Sequence, residues 1–378
     1  MSRTLEILDR LIAFPTVSAD SNLALIDYVQ DLLARAGFAV TRIPSPCGLK
    51  AGLFARIGAA EGGVCLSAHT DVVPVAGQDW TRDAFRLTRD DGRLYGRGTT
   101  DMKGFLASAL ALAERARHEA PDAALSLAIS YDEEVGCVGI RQMMPTLEPI
   151  LGRPRAVIVG EPTSMQVAMG HKGKAALEVT CHGQSGHSAL APNFTNALHL
   201  ASGFVTEMVA LQDALAQEAK DPAYAVPYST VHVGRMEGGR ALNIVPDQAR
   251  ILMEYRHLTD TPGPELRARI DAAAQAVASR FGAPDGITVE EVNAYPGLST
   301  AADAPVVGWA QGMAEGAEVT KVAFGTEAGF FAALDLPTVV IGPGDMARDG
   351  HKPDEGLDLS QLAACETMMT RILADLQA

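Results

Sequence analysis

A chain of 378 residues exceeds what one core of the commonest domain size holds, so two domains are expected. Hydrophobic residues at 47% and charged residues at 20% suit a folded enzyme and exclude a long disordered tail. With 46 Asp and Glu against 31 Lys and Arg, a formal charge of −15, the chain lacks the basic face that neutralising nucleic-acid phosphates requires, and most of the acid reads as solvated surface.

In chain order, Met1 to Asn22 carries apolar residues at Leu5, Leu8, Leu11 and Ile12 with charges between them, the pattern of an amphipathic helix and not of a signal peptide. A second helix is expected over Asn22 to Ala36. Apolar runs at Gly63 to Ser67, Ala124 to Ser130 and Ala156 to Val159 have the length of buried strands, with helical stretches between some of them. A later run, Leu336 to Ile341, with the helix-like Ser360 to Leu376, completes the same domain. The expected fold class is α/β: a metal-binding catalytic domain from residues 1–171 and 294–378, built on a central mixed sheet flanked by helices. Between its halves the rhythm changes to a strand at Ala175 to Cys181, a helix at Asn196 to Ala216, strands at Thr230 to Val233 and Ala249 to Arg256, and a helix at Pro264 to Phe281. That β-α-β-β-α order predicts an inserted α+β lid domain over 172–293. Five cysteines without a CxxC pair point to a reducing cytoplasm, and no segment approaches the roughly 20 apolar residues that span a bilayer.

In an open α/β sheet, chemistry gathers where strands end, so polar residues directly after apolar runs carry the functional signal. His69 and Asp71 follow the run Val64 to Leu66; His69 could bind a metal while Asp71 holds its other ring nitrogen, as metal-bound imidazoles usually require. Asp101 lies in the glycine-rich turn Gly96 to Gly104 ahead of a helix. Its negative charge would repel a phosphate, and both phosphate-loop spacings fail, so the turn suits a cation. Asp132, Glu133 and Glu134 end a strand-like run; such a cluster is ordinarily tolerated only on a wet surface, and at a strand end it favours one glutamate binding a metal while its neighbour handles protons. Glu161 follows a further strand, and His351 lies in a polar loop near the C-terminus. Together these positions supply enough hard and borderline ligands for two zinc-type ions.

These residues lie in SAHTDVVP (67–74), GRGTTDMKG (96–104), DEEVGCVG (132–139), GEPT (160–163) and HKPDE (351–355), and in that order the chain resembles the M20 family of metallopeptidases and amidohydrolases. Within it, GHKGKAALEV (170–179), GHSALAPNFTNAL (186–198), GGRALNIVPDQA (238–249) and GTEAGFF (325–331) are similar to the acetylornithine deacetylases. The resemblance implies two divalent ions, zinc first and cobalt as the alternative. His69, Asp101 and Glu161 would bind one, Asp101, Glu134 and His351 the other, with Asp101 bridging. It implies Glu133 as general base and Asp71 as the orienting partner of His69. It also implies a homodimer through the inserted domain, in which His187 reaches the partner's active site.

The activity so implied is hydrolysis of the N-acetyl amide of N2-acetyl-L-ornithine to L-ornithine and acetate, a step of arginine biosynthesis. His187 and Asn243 would stabilise the oxyanion. Arg256 would grip the substrate carboxylate. Glu327, in Gly325-Thr326-Glu327, would meet the side-chain ammonium. Thr100 stands where the deacetylases the chain resembles often carry cysteine, and Lys352 where some have glutamine. A desuccinylase, an aminoacylase or a dipeptidase would share every ligand, and an inactive binding protein would share the fold. A serine nucleophile lacks its GxSxG, and Cys137 sits among acids that suppress its thiolate.

Overall fold

The computed structural model describes residues 2–377. The chain folds as two compact units: Met1–Gly170, Leu298–Val322 and Thr326–Ala378 form the first, and His171–Gly297 with Ala323–Gly325 the second.

The first unit is built on an eight-stranded mixed sheet. Its spatial order is Ala39–Pro44, Ala51–Ile57, Leu125–Ser130, Val64–His69, Ala156–Val159, Thr338–Val340, Val167–Ala168, Val319–Thr320. The centre is parallel: Val64–His69 lies between Leu125–Ser130 and Ala156–Val159, with Thr338–Val340 parallel beyond, while Ala51–Ile57 runs antiparallel on the other flank. Every residue of Val64–His69, Leu125–Ser130 and Ala156–Val159 is buried, which is why these strands read as continuous apolar runs and not as alternating ones. Because they are parallel, their carboxyl ends and the polar residues that follow emerge on one edge of the sheet.

Helices complete this unit. In Arg3–Ile12 the buried residues Thr4, Ile7, Leu8, Leu11 and Ile12 recur at helical spacing, and Ser2 caps the start by accepting from the Leu5 amide. Burying each of the larger side chains contributes about 1.5–3 kcal/mol. The helix stops at Ile12, well short of the segment over which its pattern was read; the second runs Leu23–Arg35. Gly104–Glu119 is buried almost all round over its first half, from Gly104 to Ala113, so it sits between layers and packs on both Arg3–Ile12 and the C-terminal helix Leu359–Asp375. A small three-stranded sheet, Thr88–Asp90, Arg93–Tyr95 and Gly356–Asp358, ties the late chain to the loop before this helix.

The second unit is a four-stranded antiparallel sheet, in the order Thr230–Gly238, Gln248–His257, Gly173–His182, Ile287–Tyr295. Gly173–His182 alternates: Ala175, Leu177, Val179 and Cys181 face a core shared with Leu200, Phe204 and Met208 of helix Ala197–Leu215 and with Leu266, Ile270 and Val277 of helix Gly263–Arg280. The strand Ile287–Tyr295 was not anticipated. It is an edge strand whose Glu290, Glu291 and Val292 are exposed, so its run of apolar residues is interrupted.

Among the described residues, no helix is long and apolar enough to cross a membrane, and the five cysteines are free.

Candidate metal centre

The polar edge of the first unit's sheet gathers His69 from the end of its strand, Glu133 and Glu134 from the loop after Leu125–Ser130, and Glu161 from the loop after Ala156–Val159. Asp101 arrives from the turn before helix Gly104–Glu119. His351 arrives from the turn after the short helix Met346–Asp349. Two glycines make this convergence possible. Gly98 adopts φ +89, a left-handed conformation, where a Cβ would lie 2.9 Å from Val72. Gly160, immediately before Glu161, passes so close to the Phe105 ring that a Cβ would sit 1.9 Å from it.

Asp101 is the hinge of the arrangement. Its Oδ1 lies 3.1 Å from His69 Nε2 and its Oδ2 lies 3.1 Å from His351 Nε2, so each oxygen faces a different histidine. Glu161 Oε1 is 3.6 Å from His69 Nε2, and Glu134 Oε2 is 3.0 Å from His351 Nε2. Donors bound to one tetrahedral ion at about 2.0–2.1 Å would be about 3.3 Å apart, close to each of these separations. The remaining oxygen of Glu134 and Oε1 of Glu161 are buried without a hydrogen-bond partner, an arrangement that costs free energy unless a cation completes it. The donor set therefore fits divalent metal ions, imidazole and carboxylate being the ligands that zinc-type ions take. His69, Glu133 and Glu161 also converge closely enough to share one ion, so Glu133 lies within reach of the same position.

Electrostatics argue the same way. Burial and the charge of Asp101 push Glu134 up to about 7 and lift Glu161 well above the carboxylate range. Burial, opposed by His69 but reinforced by the charges of Glu134, Asp101 and Glu327, lifts Glu133 similarly. Burial would lower the two histidines, yet hydrogen bonds to Asp101 and Asp71 hold His69 far above its ordinary value, and those to Asp101 and Glu134 raise His351 to about 10. Asp101, against the penalty of burial, is held low by the same two histidines. Without cations the cluster thus retains protons to offset its negative charge.

Asp71 serves a wider purpose than its spacing indicates. The nearest acceptor to His69 Nδ1 is the backbone carbonyl of Asp71 at 3.0 Å, with the carboxylate at 3.5 Å. That carboxylate accepts from the Glu133 amide (3.1 Å), the Glu134 amide (3.3 Å) and Ser18 Oγ (2.7 Å). It therefore fixes the backbone of the acidic turn as well as standing beside the histidine. Glu327 is 1% exposed and accepts from Ser130 Oγ at the end of one central strand and from Ser67 Oγ within another; burial raises it to about 7. Thr326 is buried beside it and accepts from the Ala328 amide.

The other sequence-derived candidates belong to the second unit. His187 is exposed and its Nδ1 accepts from the Ala189 amide; the exposed Asn243 accepts through its carbonyl from the Ser188 amide, so these two segments run side by side. Arg256 is half-buried on the open face of the sheet, where Nε donates to Glu254 at 2.9 Å and Nη1 reaches the Ala323 carbonyl at 3.5 Å. Gly325 packs under Tyr295, where a Cβ would be 2.0 Å from the phenol oxygen. Sequence reasoning missed Ser67, Ser130 and Glu355, all buried polar groups around the site. For the serines the signal was present, a hydroxyl inside or ending an apolar strand.

Residues 65–375 match the model of peptidase family M20/M25/M40. The chain is 35% identical over 373 residues to an acetylornithine deacetylase of Myxococcus xanthus, covering 97% of this chain and 96% of the relative. It is 32% identical over 377 residues to an acetylornithine deacetylase of Pectobacterium carotovorum subsp. carotovorum, covering 98% and 96%. Its fold is similar to that of an M20 family metallo-carboxypeptidase from Sulfolobus solfataricus, with a TM-score of 0.79 at 18% identity over the full length of both chains. A dinuclear metal-binding M20 peptidase from Bacillus subtilis superposes with a TM-score of 0.69 at 17% identity, over 99% of this chain and 98% of that one. The motifs, the sheet that displays them and these matches across nearly the whole chain agree: the protein belongs to peptidase family M20/M25/M40.

Proposed function

We propose that the protein is a cytoplasmic metal-dependent amidohydrolase that removes the acetyl group from N2-acetyl-L-ornithine, releasing L-ornithine and acetate. The reaction is carried by one observation: Asp101 presents one carboxylate oxygen to each of two histidines, and each histidine has its own second carboxylate. The choice of substrate is supported by the two acetylornithine deacetylases that are similar over nearly the whole chain.

His69, Asp101 and Glu161 would hold one divalent ion and Asp101, Glu134 and His351 the other, zinc being the first choice and cobalt the alternative. Bound there, the ions supply Lewis acidity, which makes water a stronger acid and polarises the acyl carbonyl. Glu133 takes a proton from the attacking water; burial and neighbouring negative charge raise its proton affinity, the direction a base needs. The water oxygen bonds to the carbonyl carbon, the carbon–nitrogen bond breaks, and Glu133 returns the proton to the departing amine. Asp71 keeps Glu133 in place through its amide and orients His69.

The substrate contacts are proposed residue by residue. His187, from the partner subunit of a homodimer formed through the second unit, and Asn243 donate to the oxyanion. Arg256 binds the α-carboxylate. Glu327 pairs with the side-chain ammonium, which would supply the positive charge that burial denies it, and Gly325 and Thr326 shape the backbone beside it.

The test is turnover by protein stripped with a chelator and restored with zinc or cobalt. Release of free amine is followed for N-acetylornithine, with N-succinyl-diaminopimelate, other N-acetyl amino acids and a dipeptide in parallel. Metal-dependent turnover that favours N-acetylornithine is expected. Preference for another substrate would retain the chemistry and replace the substrate with that of a desuccinylase, aminoacylase or dipeptidase. No metal-dependent hydrolysis at all would leave a binding protein.

A further inference from the structure

We infer that Glu355 is a positioning residue that sets the bridging carboxylate: it gathers the backbone of the Asp101 turn and ties it to the segment that carries His351. The inference rests on the metal-centre reading above.

Glu355 is 1% exposed, and its carboxylate receives four donors. Oε2 accepts from Arg97 Nη1 (2.7 Å) and the Gly98 amide (2.9 Å); Oε1 accepts from the Thr100 amide (2.8 Å) and the Asp101 amide (3.0 Å). Three of the four are main-chain groups of the turn that ends in Asp101. The same two segments are stitched further along the chain. The Gly96 amide donates to the Glu355 carbonyl at 3.0 Å, and Thr100 Oγ1 donates to the Gly356 carbonyl at 3.0 Å. Thr100 thus contributes twice to one attachment.

The residue beside Glu355 is anchored independently, to a different stretch of chain. Asp354 accepts from the Thr81 amide (3.0 Å), Thr81 Oγ1 (2.6 Å) and the Arg82 amide (3.3 Å). His351 adopts φ +60, and Asp354 adopts φ +51. The 351–355 turn is therefore held at its base while its histidine side chain is half-exposed and has Asp101 and Glu134 as its side-chain partners. A bridging carboxylate must present both oxygens at once, so a small rotation of the turn would take one histidine out of reach. A buried carboxylate with four convergent donors is the device that prevents it. Groups that support metal ligands in this way typically change metal affinity about 10–100-fold when altered.

A glutamine at 355 keeps the volume but accepts through one atom only, so either the Thr100 and Asp101 amides or the Arg97 and Gly98 donors would face an NH2 group. Because Glu355→Gln leaves Arg97 buried beside a neutral group, the double variant Arg97→Gln/Glu355→Gln is made as well, removing both charges together. Each stripped protein is assessed by circular dichroism and thermal melting, then titrated with zinc against a competing chelator. The expected result is a folded double variant whose stripped form melts cooperatively like the wild type but whose zinc affinity falls about tenfold or more. A folded variant that binds zinc as tightly as the wild type would overturn the inference and leave the metal centre standing. Failure of both variants to fold would make the pair a determinant of folding and overturn it too. A wild-type protein that binds no zinc would remove the metal-centre reading and this inference with it.

Discussion

The two sheets of this protein treat charge in opposite ways. On the open face of the second unit's sheet, acid and base alternate and pair: Lys174 with Glu254 at 3.0 Å, Arg256 with Glu254 at 2.9 Å, and Arg250 with Glu178. At the polar edge of the first unit's sheet, Asp71, Asp101, Glu161 and Glu327 are buried with Glu133 and Glu134 beside them, and the charges that the fold sets against them are histidines. The first arrangement neutralises itself with side chains. The second has the carboxylates a pair of cations would neutralise, and burial with mutual repulsion raises the proton affinity of Glu133, Glu134 and Glu161.

This contrast can be broken in order of effect. Replacing Glu133 by alanine should cut turnover about 10²–10⁴-fold while leaving zinc content unchanged, read by steady-state kinetics beside elemental analysis. Loss of metal in that variant would make Glu133 a ligand, as its convergence with His69 and Glu161 allows. Next in size is the response of stability to pH. In the stripped protein Glu134 and Glu327 titrate at about 7 against an ordinary 4.5, so the folded state binds their protons more tightly than the unfolded chain does. Their contribution is complete below about pH 4.5 and is lost as pH climbs through about 7. The raised histidines act with the same sign, His351 over a window ending at about 10. The melting temperature of stripped protein should therefore fall from pH 5 to 8. Zinc-loaded protein should gain stability relative to it over the same range, because the ligands bind metal in their deprotonated forms. Parallel curves would contradict the cluster's assignment. Arg256→Met should lower kcat/KM for N-acetylornithine without changing zinc content. Smallest of all, Lys174→Ala, on the self-neutralised face, should change the free energy of unfolding by about 1 kcal/mol or less in a denaturant titration.

What could be read from the chain follows the same division. Of the candidate metal residues, His69, Glu133, Glu134 and Glu161 stand at or just after the end of an apolar run and Asp101 stands in a glycine-rich turn, positions that sequence marks by itself, whereas His351 lies in a polar loop and gains its meaning only together with the others. The carboxylate of Asp71 was read as the partner of His69, yet it also grips the amides of Glu133 and Glu134 far along the chain. Such contacts depend on which strands become neighbours, and no local pattern encodes that. Glu355 stayed hidden for the same reason: in HKPDE it looks like one more surface acid, and its donors come from the 97–101 turn. The strand Ile287–Tyr295 was missed because an edge strand with one wet face need not be apolar. Helix Gly104–Glu119 was found from its position after a turn, its burial on nearly all sides leaving little amphipathic signal.

The central claim is that Asp101 joins two cation sites, and a count of bound zinc tests it most directly. Stripped wild-type protein and Asp101→Asn are loaded with zinc, freed of excess and assayed for metal and protein. The account expects two ions per wild-type chain and at most one in Asp101→Asn, since an asparagine keeps a single oxygen. One ion or none in the wild type, or two retained in a folded Asp101→Asn, would contradict it.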